Sequence, residues 1–272
     1  MVGGGEGNLI VNLIMCCQVI EGRDFAKDIR FSVVAAAFWK HAYPEGRAYV
    51  ATNGVELIPK GYRRDMKILG YEFGKEYPAL SRTQFMLNYI ESDMFKTDTV
   101  FAGHDVLFLK QLPEFKAKAV TNYRYHPAQP YCSDLFIARD KAYSAGIVRE
   151  ILHAQMGMPK PILNGPGDQL AYALTLGMPE KAMFNGENFY APRRPEVLVV
   201  PADQYLFTPN DFFPPKYEDY GKLTPILTNE DMMQSKTAVH FKGNRKEDFF
   251  KFAKWAAKTG RVYIDLNMLE QW

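Results

Sequence analysis

Strand-like and helix-like segments alternate along this chain, and their order restricts the fold more than any other feature. Hydrophobic, β-branched segments at residues 8–15, 47–52 and 99–102 are separated by segments with helical spacing at residues 24–40 and 81–92. This order is typical of an α/β domain whose mostly parallel sheet is covered by helices. Ligands of open α/β sheets bind at the carboxyl ends of the strands. We therefore expect the functional residues to follow the predicted strands.

The second half of the chain continues the alternation. Strands are predicted at residues 135–138, 196–201 and 237–241, and helices at residues 141–156, 168–176 and 247–258. Asp24 and Ser81 are suited to cap the helices that they begin, and Gly260 is suited to end the last one. Two stretches rich in proline, residues 159–167 and 207–228, are predicted to be long loops over a site. We find no repeat and no linker, so a single domain over residues 1–272 is expected.

Charge and cysteine content exclude several classes of protein. The 33 Lys and Arg residues nearly balance the 31 Asp and Glu residues, so no basic field indicates a nucleic acid partner. Three cysteines without a C-x-x-C pair indicate neither a disulfide framework nor a structural zinc site. The apolar stretch at residues 8–20 is interrupted by polar residues and is shorter than the ~20 residues of a transmembrane helix. We expect a cytoplasmic protein without a transmembrane segment.

The most informative segment is Gly103-His104-Asp105, which lies between the strand at 99–102 and a second apolar run at 106–109. A carboxylate at the edge of a buried sheet is costly unless it meets a cation. Asp105 is suited to bind Mg²⁺ or Mn²⁺ that bridges a diphosphate. It is equally suited to begin a turn or to accept from a backbone amide. Taken alone, the second role is the more common one.

Two later segments carry polar groups at the ends of predicted elements. Asp168 and Gln169 begin a helix, where a carboxylate ordinarily caps but can also hydrogen-bond a sugar hydroxyl. His240 lies in a predicted strand and is followed by Lys242, Gly243 and Arg245, a loop that can bring amides and cations to phosphates. The ordinary alternatives are a buried strand histidine and solvated surface charge.

Taken in order, these segments resemble the GT-A glycosyltransferases, in particular glycogenin-like and bacterial galactosyltransferase-like enzymes. The matching stretches are Ser81-Arg82, Gly103-His104-Asp105, Gly167-Asp168-Gln169-Leu170 and His240-Phe241-Lys242-Gly243. The resemblance implies a Rossmann-like GT-A fold with a central, mostly parallel mixed sheet flanked by helices. It implies a nucleotide-binding half at residues 8–110 and a half for acceptor and donor sugar at residues 111–258. The implied activity is that of a hexosyl- or pentosyltransferase.

The resemblance also implies roles for individual residues. Asp105 and His240 would hold the metal, and His104 would help at the donor. Asp168 and Gln169 would face the donor sugar, and Asp134 would be a second carboxylate, suited to deprotonate the acceptor hydroxyl. The remaining donor contacts would be Arg82, Lys242, Gly243 and Arg245 at the diphosphate, and Cys16, Cys17, Gln18 and Asn53 at the base and ribose. The donor would be a nucleoside-diphosphate sugar, with UDP as its nucleotide, and the acceptor a glycan or glycoconjugate.

One position departs from the family pattern, because Gly103 stands where the first aspartate of Asp-x-Asp would be. Three outcomes stay open: a metal held by Asp105 and His240, a metal-independent enzyme that uses Lys242, Arg245 and Lys246, or a degenerate, non-catalytic binder of nucleotide sugar or carbohydrate. A histidine ligand favours Mn²⁺ over Mg²⁺. A nucleotidyltransferase is a weaker rival, since that class has a glycine-rich basic loop after the first strand and residues 16–24 contain one glycine.

Overall fold

The computed structural model describes most of the 272 residues. It describes residues 11–74, 77–124, 131–164, 167–177, 180–184, 187–191, 194–209 and 227–265, with backbone alone at 180–184, 187–191 and 244. The first three residues of the predicted strand at 8–15, residues 165–166, and residues 210–226 of the predicted loop at 207–228 lie outside the described residues.

A seven-stranded sheet forms the centre of the protein. Its strands lie in the order β10-β6-β7-β4-β1-β2-β3. They are β1 (Asn12–Cys16), β2 (Arg47–Thr52), β3 (Lys67–Gly70), β4 (Thr99–Ala102), β6 (Ala119–Tyr123), β7 (Tyr131–Ala138) and β10 (Val197–Pro201). The neighbours pair in parallel except β7, which is antiparallel to both β4 and β6. The predicted mostly parallel, mixed α/β sheet is confirmed.

Two short antiparallel pairs complete the strands. The first pairs β5 (Val106–Phe108) with β11 (Ala238–His240), and the second pairs β8 (Glu180–Phe184) with β9 (Glu187–Ala191). In the first pair His240 lies opposite Val106. This pairing brings residues 238–240 next to the turn that follows β4.

Helices cover both faces of the central sheet. They are α1 (Phe25–Ala42), α2 (Pro78–Glu91), α3 (Lys141–Met156), α4 (Lys160–Leu163), α5 (Gly167–Leu176), α6 (Ala202–Tyr205), α7 (Asn229–Ser235) and α8 (Lys246–Lys258). The apolar residues of α1 and α8 pack in one core cluster, and those of α2, α3 and α5 pack in another. Strand side chains alternate between the faces, so Leu13 and Met15 lie in the first cluster and Ile14 in the second.

Helix α1 is apolar around most of its circumference because it is covered from two sides. It packs against β1 and β2 of the central sheet and also against β5. Phe38 and Trp39 are fully buried, and Trp39 contacts the ring of Phe108 edge-on at 5.0 Å. Asp24 begins the helix, and its side chain accepts a hydrogen bond from the Lys27 amide, as predicted.

Several predicted boundaries needed correction. The predicted loop at 159–167 contains α4, and α2 begins at Pro78 rather than at Ser81. Proline at the first helical position needs no amide partner, so the helix starts there. Ser81 does not cap this helix, because its hydroxyl donates to the Gly74 carbonyl from inside the first turn. Strands β3, β5 and β6 were not predicted as such, and β7 extends four residues further toward the N-terminus than predicted.

Among the described residues, no helix is both long enough and apolar enough to span a membrane.

Candidate active site

A pocket of about 380 Å³ opens at the carboxyl ends of β1 and β4. Strand β4 runs into Gly103, where the chain turns: the Val106 amide donates to the Gly103 carbonyl at 3.2 Å. The predicted site residues that line the pocket are Cys16, Gln18, Arg82, His104, Asp105, Asp134, Asp168, His240, Lys242 and Gly243. The fold therefore brings most of the predicted set to one place, although its members span more than 220 positions.

His240 forms the buried floor of the pocket. It is the last residue of β11, and the next amide, that of Phe241, donates to the Asp105 carbonyl at 3.0 Å. Its Nε2 lies 3.4 Å from Asp105 Oδ1 and 3.6 Å from Asp134 Oδ2. Burial alone would lower the pKa of His240, but the Asp105 carboxylate and the hydrogen bonds to the ring raise it to about 10. Burial would likewise raise the pKa of Asp105, but His240 holds it well below its usual range.

The opposite edge of the imidazole faces Cys132. The Cys132 thiol lies 3.8 Å from His240 Nδ1 and 3.6 Å from Asp134 Oδ2. Among the described residues, Cys132, Asp134 and His240 are the three whose donor atoms all lie within 4.8 Å of one another. Sequence reasoning had not selected Cys132, because a lone cysteine in a strand carries no signal of its own.

Arg82 connects three polar side chains on the other wall. Its guanidinium donates to Asp134 Oδ1 at 2.8 Å, to Ser133 Oγ at 2.7 Å and to Asp168 Oδ2 at 3.1 Å. Ser133 in turn donates to Asp168. Burial would raise the pKa of Asp134, but Arg82 and His240 hold it below its usual range. The hydrogen bonds from Arg82 therefore hold both carboxylates in fixed positions.

Basic groups form the outer wall. Lys246, at the start of α8, lies 3.8 Å from Asp105 Oδ2 and above the ring of Phe31 at 5.3 Å. Lys242 and Gly243 precede it, and Gly243 has a φ of +63°, a left-handed conformation that favours glycine. Arg23 lines the pocket from the loop before α1. These cations make the outer wall of the pocket positively charged.

Sequence reasoning also missed Asp28, in the first turn of α1. Its Oδ1 lies 3.5 Å from Nε2 of His104. Burial would raise the pKa of Asp28, but hydrogen bonding to His104 lowers it overall. The available signal was its position, four residues after the Asp24 cap, on a turn that faces the carboxyl ends of the strands.

Four predicted residues do not line the pocket. Cys17 is buried in the core beneath α1, because successive residues after a strand point to opposite faces. Asn53 accepts from the Val19 amide at 2.8 Å, and so holds the loop that follows β1. Gln169 accepts from Arg124 at 2.6 Å, and Arg245 lies in the 3₁₀ turn Gly243–Arg245. Asn53 and Gln169 act here on neighbouring protein groups.

The donor atoms at the floor of the pocket fit a divalent cation. Two carboxylates and one buried imidazole nitrogen are a hard to borderline ligand set that suits Mn²⁺ and Mg²⁺. A buried carboxylate is costly without a charged partner, and here His240 and Lys246 pair with Asp105 while Arg82 pairs with Asp134.

Comparison with solved structures places this fold among glycosyltransferases. Glycosyltransferase GlyE of Streptococcus pneumoniae TIGR4 is similar over 94% of this chain, with a TM-score of 0.55 and 9% identity, and this chain spans 65% of GlyE. Galactosyltransferase LgtC, solved with donor and acceptor sugar analogs, is similar over 93% of this chain and 97% of its own, with a TM-score of 0.51 and 11% identity. No protein-family profile and no curated protein matches the sequence. The predicted GT-A-type fold is thus confirmed at the level of structure.

Proposed function

We propose that the protein transfers a sugar from a nucleoside-diphosphate sugar to a hydroxyl of a glycan or glycoconjugate. One observation carries the proposal: a single pocket at the strand ends joins a carboxylate and imidazole floor to a wall of lysines. A diphosphate needs cations on its phosphates, and a sugar needs carboxylates on its hydroxyls. The glycosyltransferase fold adds support as an analogy, since fold alone does not fix function.

The leaving group is the nucleoside diphosphate, on which negative charge develops as the bond to the sugar breaks. Lys242 and Lys246 supply positive charge there, and the left-handed Gly243 leaves the backbone open for close approach of a phosphate. Asp105 and His240 would hold Mn²⁺, or Mg²⁺, which neutralises phosphate oxygens when bound. These groups stabilise charge that is larger in the transition state than in the substrate, and such stabilisation accelerates the reaction.

Asp168 and Asp134 are the proposed contacts to the sugars. Asp168 begins α5, and Arg82 and Ser133 fix its carboxylate in position. Fixed acceptors of this kind orient the donor hydroxyls at little entropic cost. For Asp134, pairing with Arg82 lowers the pKa, and a lowered pKa makes this carboxylate a weak base. A role for Asp134 that depends on its charge fits this environment better than proton abstraction.

The nucleoside would lie toward Cys16, Gln18 and Pro78. Gln18 donates to the Pro78 carbonyl at 3.3 Å, which leaves its amide oxygen for the ligand. Burial raises the pKa of the Cys16 thiol to about 12, so this cysteine is neutral and acts by contact alone. We propose UDP as the nucleotide, on the sequence resemblance.

Thermal denaturation with a panel of nucleoside diphosphates and nucleotide sugars tests the proposal. Each ligand is supplied with Mn²⁺, with Mg²⁺ or with EDTA, because a ligand bound only by the native state raises the midpoint. Lys246→Met should lose most of the shift. Its matched control, Lys251→Met, lies on the same helix with a side chain that is 73% exposed, and it should keep the shift. Absence of a shift with every donor would refute the proposal.

A non-catalytic binder of nucleotide sugar is the second candidate, and Gly103 in place of an aspartate favours it. The two candidates differ in turnover. A transferase that lacks its acceptor commonly hydrolyses its donor slowly, whereas a binder leaves the donor intact. Release of nucleoside diphosphate, measured over hours at saturating donor and Mn²⁺, separates the two. A midpoint shift without any release, with a panel of glycan acceptors present, would favour the binder.

A further inference from the structure

Gly103 lies against two carboxylates and has no room for a side chain of its own. A Cβ atom at this position would be 2.8 Å from Asp105 Oδ1 and 3.0 Å from Asp134 Oδ1. The carboxyl carbon of Asp134 would be 3.2 Å away. The space that a side chain at position 103 would enter is therefore already taken by the carboxylates of Asp105 and Asp134.

We propose that Asp134 supplies the carboxylate that position 103 lacks, and that Asp105, Asp134 and His240 together bind a divalent cation, Mn²⁺ in preference to Mg²⁺. The purpose of this ion rests on the proposed function, because it would serve the diphosphate of the donor. Ion binding itself can be measured without a donor. The ligand has moved from one strand end to the neighbouring one, and the metal site is retained.

The backbone explains how a residue 31 positions away takes this place. Strand β7 runs antiparallel to β4, and Ala102 pairs with Leu135. The Gly103 amide donates to the Asp134 carbonyl at 3.3 Å, so the two residues lie side by side at the sheet edge. A glycine at 103 is what allows the longer side chain from β7 to fill the position.

The position of the imidazole nitrogen between the two carboxylates supports the assignment. Ligand atoms bound to one cation at about 2.1 Å, with about 90–110° between bonds, lie about 3.0–3.5 Å apart. His240 Nε2 is 3.4 Å from Asp105 Oδ1 and 3.6 Å from Asp134 Oδ2. The imidazole nitrogen thus stands at nearly the required distance from each carboxylate. Asp105 lies outside the group whose donor atoms are all within 4.8 Å of one another, so the two carboxylates must turn toward each other when the ion binds.

Each ligand keeps a partner that orients it. Asp134 uses Oδ1 for Arg82 and directs Oδ2 toward His240, which a carboxylate can do because it has about four acceptor sites. His240 directs Nε2 toward the carboxylates and Nδ1 toward the Cys132 thiol. Fixing the second ring nitrogen is how proteins orient histidine ligands. Cys132 is therefore a positioning residue rather than a ligand.

Mn²⁺ titration followed by electron paramagnetic resonance, without nucleotide, tests the assignment. Asp134→Asn should weaken Mn²⁺ binding at least tenfold. Asp168→Asn is the matched control, because Asp168 pairs with the same Arg82 but lies away from His240, and it should bind within threefold of the wild type. Cys132→Ser should also stay within threefold. Melting curves in EDTA confirm that each variant is folded.

A sharper test moves the carboxylate from position 134 to position 103 by mutation. Gly103→Asp in an Asp134→Ala background should recover at least part of the affinity that Asp134→Ala loses, because removal of the Asp134 carboxylate leaves room at position 103 and the new aspartate restores the charge. Gly103→Asp alone should gain none. A gain would mean that position 103 is a vacant ligand position, and the proposal would be wrong.

The remaining outcomes are also decisive. Unchanged Mn²⁺ affinity in Asp134→Asn, or no Mn²⁺ binding by the wild type, would overturn the proposal. The proposed function would still be tested separately, by measuring donor binding in EDTA. Loss of binding in Cys132→Ser, with Asp105→Asn unaffected, would place the ion at Cys132, Asp134 and His240 instead. If Asp134→Asn does not fold, wild-type protein labelled with ¹³C in its aspartate carboxylates should show two carboxylates coupled to Mn²⁺, and a single one would refute the assignment.

Discussion

Removal of Arg82 should destabilise the protein far more than removal of an exposed arginine. In Arg82→Met the Asp134 and Asp168 carboxylates lose their common guanidinium, and Ser133 loses a donor. The three charged side chains are 22%, 23% and 15% exposed, so water replaces the lost contacts only in part. Two negatively charged carboxylates would then remain close together without the positive charge that offsets their repulsion.

The magnitude follows from these contacts. Removal of one partner of a fully buried ion pair costs about 3–5 kcal/mol, because a charge is stranded. Because the three charged side chains are about one-fifth exposed, water screens the lost interactions and the cost falls toward the lower end of this range. We therefore expect a loss of about 3 kcal/mol in the free energy of unfolding. With an unfolding entropy of about 2.1 cal/mol/K per residue, a chain of 272 residues should lose about 5 °C in Tm.

Chemical denaturation at pH 7 provides the assay, with a double-mutant cycle to isolate the cause. In the background Asp134→Asn, Asp168→Asn, Arg82→Met strands no carboxylate and removes a guanidinium that has lost its charged partners, so it should there cost less than about 1 kcal/mol. The control is Arg149→Met, since the ion pair of Arg149 with Glu91 is 60% and 44% exposed and should contribute less than about 1 kcal/mol. Equal losses for Arg82→Met in both backgrounds, or a loss no larger than that of Arg149→Met, would show that stranded carboxylate charge is not the cause.

Three further predictions concern stability. Asp24→Ala should cost about 1 kcal/mol, measured by urea denaturation, because the Lys27 amide loses its acceptor at the start of α1; an unchanged midpoint would mean that solvent replaces the cap. Leu107→Ala should cost about 3 kcal/mol in the same assay, because Leu107 is fully buried in β5, and a loss below about 1 kcal/mol would show that the site collapses. Burial raises the pKa of Tyr43 to about 12, so the unfolded state loses its phenol proton first and stability should fall as the pH rises above about 10. Tyr43→Phe should therefore have a smaller decrease in stability between pH 9 and pH 11 than the wild type, and equal decreases would contradict this.

The regular elements were largely accessible from the sequence. The helix at 141–156 and the strands at 47–52 and 99–102 have the predicted bounds, since periodicity and caps act locally. The short strands β3 and β6 were missed because four or five residues carry too little periodicity. Helix α4 was missed because the prolines that flank it are equally common in loops.

The composition of the site was predicted better than its geometry. Ten of the predicted residues line one pocket, because polar residues after strands gather at one edge of a parallel sheet. Asn53 and Gln169 were placed in the site by position, yet their side chains bind the Val19 amide and Arg124. Position along the chain does not determine which neighbour a side chain reaches.

The alternation of strands and helices can be read from local sequence patterns, and with it the α/β class and the edge of the sheet at which the polar residues collect. How those residues contact one another depends on tertiary structure. His240 reaches Asp105 because β11 pairs with β5 across more than 130 positions, and Asp134 lies beside Gly103 because β7 pairs with β4. The reason is physical: helical and strand periodicity arise from neighbouring residues, whereas the pairing of distant strands depends on the packing of the whole core.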